Sequence, residues 1–573
     1  MCGIIARIGE IRKGNTICEA LEHLEYRGYD SFGVLQKLND SIEITKDIGS
    51  LNNKHKDLLI QKKSFIELGH TRWATHGEVK KDNAHPHFDD KEKVYVVMNG
   101  IIENYNEFIK HINPENQSDT KVLAQLIGDN LEIFSPYQAI KNTIKKLKGD
   151  FSFIALIDNQ IFAYKQGNPL LIGYDEKNIY LCSDINFLKK HSKKIGVLED
   201  NTICIIDSNL KYQFFNKEEK ISIEFIPVEK FNNKTPTLKE TTSKWSMENE
   251  IYQQNDLSNI FNNYNKPTIE NISNLISNKN YKNIIITGAG SSYNAGLYLH
   301  YLLREKGILS NCIVASELDG YCNLIENSIV FVFSQSGETG DLIRPIENLR
   351  QKNQIISIVN TKYSTLDRIS NKTIYLECGE ETGVAATKSF LSQILIIQML
   401  TDSLENSNKL IQNESFKIDF SKLEYISNKV KSICKKIKSS QKLNLFYIGR
   451  DKWYPLALEG ALKYKELTYN HAEGFAGGEL KHGTLSLIEE NSPVIVLGNS
   501  SAIIQNAIEL QSRGATLIGI SKNKNNIFDY YIEEEENITN TIIMIQLFAF
   551  HMALLKGNNP DKPRNLAKSV TVR

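Results

Sequence analysis

The residues best suited to chemistry begin at the second position. Cys2 stands between Met1 and the apolar run Gly3-Ile4-Ile5. Initiator methionine is trimmed before small residues, so the mature chain is expected to start at Cys2. A terminal cysteine carries a thiol and a free α-amine on one carbon skeleton. That amine, with an ordinary pKa of about 8, can serve as the thiol's own base. No second residue is then needed to make a nucleophile.

Further chemistry-bearing segments follow. They are Leu24-Glu25-Tyr26-Arg27-Gly28-Tyr29-Asp30-Ser31 and Gly69-His70-Thr71-Arg72-Trp73-Ala74-Thr75-His76-Gly77, then Asn83-Ala84-His85-Pro86-His87 and Met98-Asn99-Gly100-Ile101-Ile102-Glu103-Asn104. Imidazole is the commonest metal ligand, yet no cysteine or carboxylate accompanies His70, His76, His85 and His87 at ligand spacing. That argues against a metal site at these histidines, and Arg27 with Asp30 reads as a structural ion pair.

Much later, Ser334-Gln335-Ser336-Gly337-Glu338-Thr339 lies between an apolar strand pattern and a helix. Hydroxyls and free N–H groups at such a junction suit a phosphate monoester, although a plain N-cap has the same composition. Gly288-Ala289-Gly290-Ser291-Ser292-Tyr293-Asn294 is a poor dinucleotide fingerprint, which argues against a nicotinamide site. Glu459 and Lys463 stand four apart on one helical face, the spacing of an ion pair.

These groups need elements to hold them. Residues 3–8, 94–97, 151–157 and 203–206 read as strands, and 19–26 and 120–131 as helices. The first 227 residues therefore predict an α+β layered domain with the chain start inside a sheet. A polar stretch, 228–246, reads as a linker. Beyond it the pattern changes to strands alternating with helices, at 283–287, 329–333 and 355–359, and again at 443–448, 494–497 and 516–520. That alternation predicts parallel α/β sheets in two similar blocks, 247–410 and 430–558, with a tail at 559–573.

At 573 residues the chain is too long for one core. Lys+Arg and Asp+Glu balance at 68 each, so no overall field favours nucleic acid or an anionic membrane. Eight cysteines without CxxC pairs argue against a zinc ribbon or disulfide framework and for a reducing, cytoplasmic setting. The apolar run at 542–555 is short for a membrane span and contains His551, so it reads as a buried helix.

The N-terminal segments, in order, resemble the glutaminase domain of the N-terminal-nucleophile glutamine amidotransferases, an αββα-type fold. The resemblance implies glutamine amide hydrolysis with Cys2 as nucleophile and the Asn99 amide and Gly100 N–H as oxyanion donors. It also implies that Arg72 holds the substrate α-carboxylate and Asp119 its α-ammonium, that Thr75, His76 and Gly77 line the pocket, and that Trp73 gates it. Two positions depart from the usual pattern: Phe32, where a small residue is common, and Lys121, where an acid is common.

The second half resembles paired sugar isomerase (SIS) domains, and the whole chain is similar to the glutamine–fructose-6-phosphate aminotransferase family. The segments that carry this likeness are Leu458-Glu459-Gly460-Ala461-Leu462-Lys463-Tyr464-Lys465-Glu466, Gly478-Glu479-Leu480-Lys481-His482-Gly483 and Arg564-Asn565-Leu566-Ala567-Lys568-Ser569. The likeness implies ring opening by His482, a Schiff base at Lys568 and a C1–C2 proton shuttle at Glu466. Ser291, Ser292, Ser334, Gln335, Ser336, Thr339, Val384, Ala385, Glu459 and Lys463 would then bind the phosphosugar, with Ala386 departing from a frequent serine.

The same resemblance implies L-glutamine and fructose 6-phosphate as substrates, an internal ammonia channel, and at least a homodimer in which His482 serves the neighbouring subunit. It implies no metal or other cofactor, and the balanced charge predicts neither nucleic acid nor membrane as partner. Three alternatives stay open at this point. One is an amidotransferase acting on phosphoribosyl pyrophosphate, for which no diphosphate-sugar loop is found. Another is a related SIS amidotransferase or deglycase acting on a different phosphosugar. The third is a non-catalytic phosphosugar sensor, which would not need Cys2, Glu466, His482 and Lys568 together.

Overall fold

Strand Gly3–Lys13 explains the apolar run after Cys2: residues 3 to 8 are buried on both faces. It lies inside an eight-stranded sheet, between the antiparallel strands Asn178–Cys182 and Lys63–Arg72. A computed structural model describes residues 2–39, 41–74, 78–111, 118–231, 243–405, 423–533 and 538–571. The chain divides into two compact units, Met1–Asn233 with Ser569–Arg573, and Lys234–Lys568.

In the first unit a seven-stranded antiparallel sheet stacks on the eight-stranded one. Their facing residues make one core: Ile4, Ala6, Leu35 and Leu68 from one sheet, Val97, Ile154, Leu156 and Ala163 from the other. Helices Asp119–Leu131 and Pro136–Ile144 cover the far face of the second sheet through Val122, Ile127 and Ile140. Helix Asn15–Leu24 covers the first, where a side chain at Gly69 would strike Ile17 and Leu21. The layers are helix, sheet, sheet, helix, as predicted.

The second unit holds two five-stranded parallel sheets. One runs Asn311–Val314, Ile284–Gly288, Ile329–Phe333, Gln354–Val359, Lys372–Tyr375 across its width. The other runs Ala472–Ala476, Leu445–Gly449, Pro493–Leu497, Thr516–Ser521, Tyr530–Glu533. The strand order is the same in both, which makes them a structural duplication. In open parallel sheets ligands bind beyond the carboxyl ends of the strands, where the order reverses. The loops after Gly288 and after Phe333 flank that point in the first sheet.

Helix Ile538–Lys556 is long and apolar enough by composition to cross a bilayer, but it lies buried against Tyr454–Thr468 and Leu423–Ser439. His551 within it bonds Ser427 Oγ at 2.8 Å. Of the expected linker, Val228–Phe231 forms a short helix and residues 232–242 lie outside the described residues. Ser246 already begins helix Ser246–Tyr264, because Asp561 accepts the N–H groups of Ser246 (2.9 Å) and Met247 (2.8 Å). A carboxylate at a helix N-terminus satisfies donors that the helix itself cannot. The tail thus fixes a helix start that local sequence does not announce.

Candidate active sites

The register Gly3↔Thr71 brings the start of the first strand to the end of strand Lys63–Arg72. Cys2 is half-buried there, its Sγ accepting from Trp73 N at 3.4 Å and lying 3.6 Å from Trp73 O. Burial pushes the thiol's pKa up, while the Trp73 N–H and the Arg72 guanidinium pull it back. Arg72 is buried and donates to Glu78 O at 3.3 Å. Burial lowers its own pKa, opposed by Cys2, Asp119 and Asp30.

Asp119 opens helix Asp119–Leu131 and accepts Ile102 N at 3.1 Å and Thr120 N at 2.8 Å. It therefore fixes the chain just after Asn99 and Gly100, which end strand Val94–Gly100. Asn99 is buried, and its Oδ1 has no hydrogen-bond partner among the described residues. Gly100 has φ 103°, and a Cβ there would stand 2.1 Å from the Asp150 carbonyl. Only glycine fits, for the conformation and for the contact.

Around this cluster Trp73 sets its ring edge-on to Tyr29, 6.1 Å between centroids, and Asp30 accepts Ala74 N at 2.8 Å. Thr75, His76 and Gly77 lie outside the described residues. Arg27 pairs with Asp184, at 3.6 Å, and not with Asp30 as the sequence suggests. His70 stacks on His85 at 3.9 Å, with His87 edge-on to His85 at 5.0 Å. Burial pulls the pKa of His70 down to about 3 and those of His85 and His87 well below the ordinary value.

The two departures have physical explanations. Phe32 is buried against the ring of His55, at 5.0 Å. Lys121 reaches Phe88 O at 2.7 Å and Asp90 Oδ1 at 2.9 Å.

In the second unit Glu459 and Lys463 are both buried on helix Tyr454–Thr468. Glu459 accepts from Ser291 Oγ at 2.8 Å and Asn294 Nδ2 at 2.8 Å, so the proton of Ser291 is committed to it. Lys463 Nζ stands 3.6 Å from Glu459 and 2.5 Å from Glu466 Oε2. Burial lowers the lysine's pKa, but Glu466 and Glu459 outweigh it and the net shift is upward. Burial raises that of Glu459. The ion pair that the spacing suggests is part of an interior network.

Ser292 Oγ accepts from Gln393 Nε2 at 2.9 Å. Ser334 Oγ accepts Gly337 N at 3.0 Å and lies 2.9 Å from Thr339 Oγ1, while Ser336 Oγ accepts Glu338 N at 3.1 Å. Gln335 O takes Asn360 N at 3.0 Å. The loop is a self-bonded cradle ending at Thr339, which precedes helix Gly340–Leu349. Val384 N donates to Asp561 O at 3.1 Å, Ala385 is buried, and Ala386 packs on the core. Lys568 donates to Glu381 Oε2 at 2.5 Å and Gly383 O at 2.7 Å. His482 is exposed, and among the described residues no hydrogen bond joins its ring to this network.

A SIS domain family model matches residues 276–403 and 439–556, and a glutamine amidotransferase domain model matches 70–190. The chain is 36% identical to the glutamine–fructose-6-phosphate aminotransferase (isomerizing) of Sulfurisphaera tokodaii and 34% identical to that of Sulfolobus acidocaldarius, each alignment covering 100% of both chains. Among solved structures, the C-terminal domain of the glucosamine-fructose-6-phosphate aminotransferase of Francisella tularensis is 26% identical, with a TM-score of 0.48, over 56% of this chain and 99% of that one. The chain belongs to the glutamine–fructose-6-phosphate aminotransferase family.

For a member of this aminotransferase family, the residues that sequence reasoning missed are second partners. Asn294 shares Glu459 with Ser291, and Gln393 holds Ser292. Glu381 holds Lys568, and Glu250 accepts the N–H groups of Thr382 (2.6 Å) and Gly383 (2.9 Å). Glu381 stands five residues before Ala386, but neither its burial nor its pairing with Lys568 is visible in that segment.

Proposed function

We propose that this chain transfers the side-chain amide nitrogen of glutamine to fructose 6-phosphate and isomerises the product to glucosamine 6-phosphate, releasing glutamate. The observation that carries this reading is similarity along the entire length to aminotransferases of that name. In this reading residues 2–227 form the glutaminase and 247–410 and 430–558 the two SIS domains, with 559–573 completing the sugar site.

With Met1 removed, the Cys2 thiol attacks the glutamine side-chain carbonyl, and its α-amine takes the proton. Asn99 and Gly100 stabilise the oxyanion; Arg72 and Asp119 hold the two ends of the amino acid, and Trp73 closes the pocket. Collapse expels ammonia, and water then hydrolyses the thioester to glutamate. Ammonia in bulk water at pH 7 is mostly non-nucleophilic ammonium, so the nitrogen travels shielded from solvent. At the sugar, His482 of a neighbouring subunit opens the ring and Lys568 forms an imine at C2, which ammonia displaces. Glu466 then carries a proton from C1 to C2. The Ser334–Thr339 cradle and Ser292 hold the phosphate. This chemistry needs no metal or redox cofactor, and its setting is the cytoplasm.

The deciding experiment is mass spectrometry of products formed from glutamine labelled with ¹⁵N at the amide and fructose 6-phosphate. Labelled glucosamine 6-phosphate with equimolar glutamate is expected. Glutamate without the amino sugar would overturn the assignment.

A further inference from the structure

One hydroxyl stands between two buried carboxyls beside Lys568. Thr387 Oγ1 lies 3.0 Å from Glu381 Oε1 and 3.0 Å from Glu250 Oε2. A threonine hydroxyl has one proton to give. Were both carboxyls ionised, one of these contacts would set lone pair against lone pair in a dry interior, a costly arrangement.

The remaining partners decide which carboxyl is charged. Glu381 accepts Thr387 N (2.9 Å), Ser389 N (3.1 Å) and Ser389 Oγ (2.7 Å), and it pairs with the Lys568 ammonium at 2.5 Å. Those are the surroundings of a carboxylate: burial raises its pKa, but Lys568 and the Ser389 donors together outweigh it and the net shift is downward. Glu250 takes Thr382 N, Gly383 N and, at 3.2 Å, the Thr382 hydroxyl, all on Oε1. Its Oε2 faces Thr387. Burial, then Glu381, raise its pKa, against Lys568 and Lys388. Lys388 is engaged with Gln253 Oε1 (2.9 Å) and Glu380 O (2.8 Å), and Glu381 is also faced by Cys378 and Lys463.

We propose that Glu250 is an un-ionised carboxylic acid that donates to Thr387, which donates to Glu381, leaving Glu381 the one nearby counter-anion of Lys568 and the acceptor of its proton. A second buried negative charge would hold the amine as ammonium. With Glu250 neutral, the Lys568–Glu381 pair is neutral overall before and after proton transfer. The step balances: Lys568 gives a proton to Glu381, and the free amine adds to the C2 carbonyl to form a carbinolamine. Glu381 returns the proton to the carbinolamine hydroxyl, which leaves as water, giving a protonated imine and a carboxylate again. Glu250 and Thr387 are positioning residues, and the inference rests on Lys568 forming the imine.

The test is reductive trapping in the full-length protein. The chain is incubated with fructose 6-phosphate, quenched with borohydride, and the adduct on Lys568 is followed by peptide mass spectrometry from about pH 6 to about pH 9. A wild-type chain that gives no adduct overturns the Lys568 reading itself. Given an adduct, Glu250→Ala is expected to slow trapping about tenfold and Glu250→Gln to restore most of it. The Gln carbonyl can accept from Thr382 and Gly383 while its NH₂ donates to Thr387, as the acid does. Wild-type trapping should also decline on the alkaline side as Glu250 ionises, and the Gln variant should not show that decline. A Gln variant as slow as the Ala variant, or the same alkaline decline in both Gln and wild type, would overturn the proposal. If Glu250→Ala fails to fold, the wild-type and Gln pH profiles decide alone.

Discussion

Asn294 Nδ2 and Glu459 Oε2 meet at 2.8 Å, joining the helix after the first strand of one parallel sheet to the first long helix of the other. Glu459 is fully buried and receives Ser291, Asn294 and the charge of Lys463. Replacing it with Ala strands two donors and half the compensation of a buried ammonium. Breaking such a pair costs about 3 kcal/mol, at the low end of the usual range because Glu466 remains. Glu459→Ala should lower the denaturant midpoint of the sugar unit and end amino-sugar formation, with glutamine hydrolysis continuing. Wild-type stability in that variant would mean the network is not what holds the two sheets together.

Cys2→Ala separates the two chemistries. Without the thiol no thioester forms, so glutamine-dependent synthesis should fall below detection. Synthesis from ammonium salts at alkaline pH, where free ammonia exists, should persist. The same preparation assayed with each nitrogen source gives the answer. Surviving glutamine use would move the nucleophile elsewhere.

Six of the parallel strands were readable within a residue or two because they are short, mostly apolar runs buried on both faces, as Ile284–Gly288 and Ile329–Phe333 are. The partly exposed strands Asn311–Val314, Lys372–Tyr375, Ala472–Ala476 and Tyr530–Glu533 carry no such run and were not. Cys2, Arg72 and Asn99 were picked out by residue type and motif. Glu250 and Glu381 were not. Glu250 meets Thr382 and Thr387 from more than 130 positions away, and no period or local motif encodes such a contact. The start of helix Ser246–Tyr264 was missed for the same reason, since its cap is Asp561. Buried polar groups find partners through the fold, and a sequence shows only that they exist.

Gly100→Ala tests the oxyanion geometry. The new methyl would lie 2.1 Å from the Asp150 carbonyl and force a backbone now at φ 103° to move. The displaced N–H would no longer meet the developing charge. Loss of one such donor costs about a hundredfold or more in turnover. Glutaminase kcat should fall by that order with a smaller change in KM, and ammonia-dependent synthesis should stay near wild type. An undiminished kcat would remove Gly100 from the reaction.

Acid should loosen the glutaminase unit through its histidines. His70 is buried and neutral, its pKa pulled down to about 3 by burial, while the unfolded chain restores an ordinary value near 6.5. Between those values the unfolded state binds a proton that the folded state refuses, so stability rises with pH across the window and is lost as pH falls below about 6.5. His70 alone should then cost about 2 kcal/mol between pH 7 and pH 5. His85 and His87, depressed by burial in the same direction, should steepen the loss. Unfolding of the glutaminase unit followed by denaturant at the two pH values measures this. His70→Gln, which cannot titrate, should show a shallower pH dependence than wild type. Equal slopes in the two proteins would mean that His70 is protonated in the folded chain and that its stacking on His85 is held some other way.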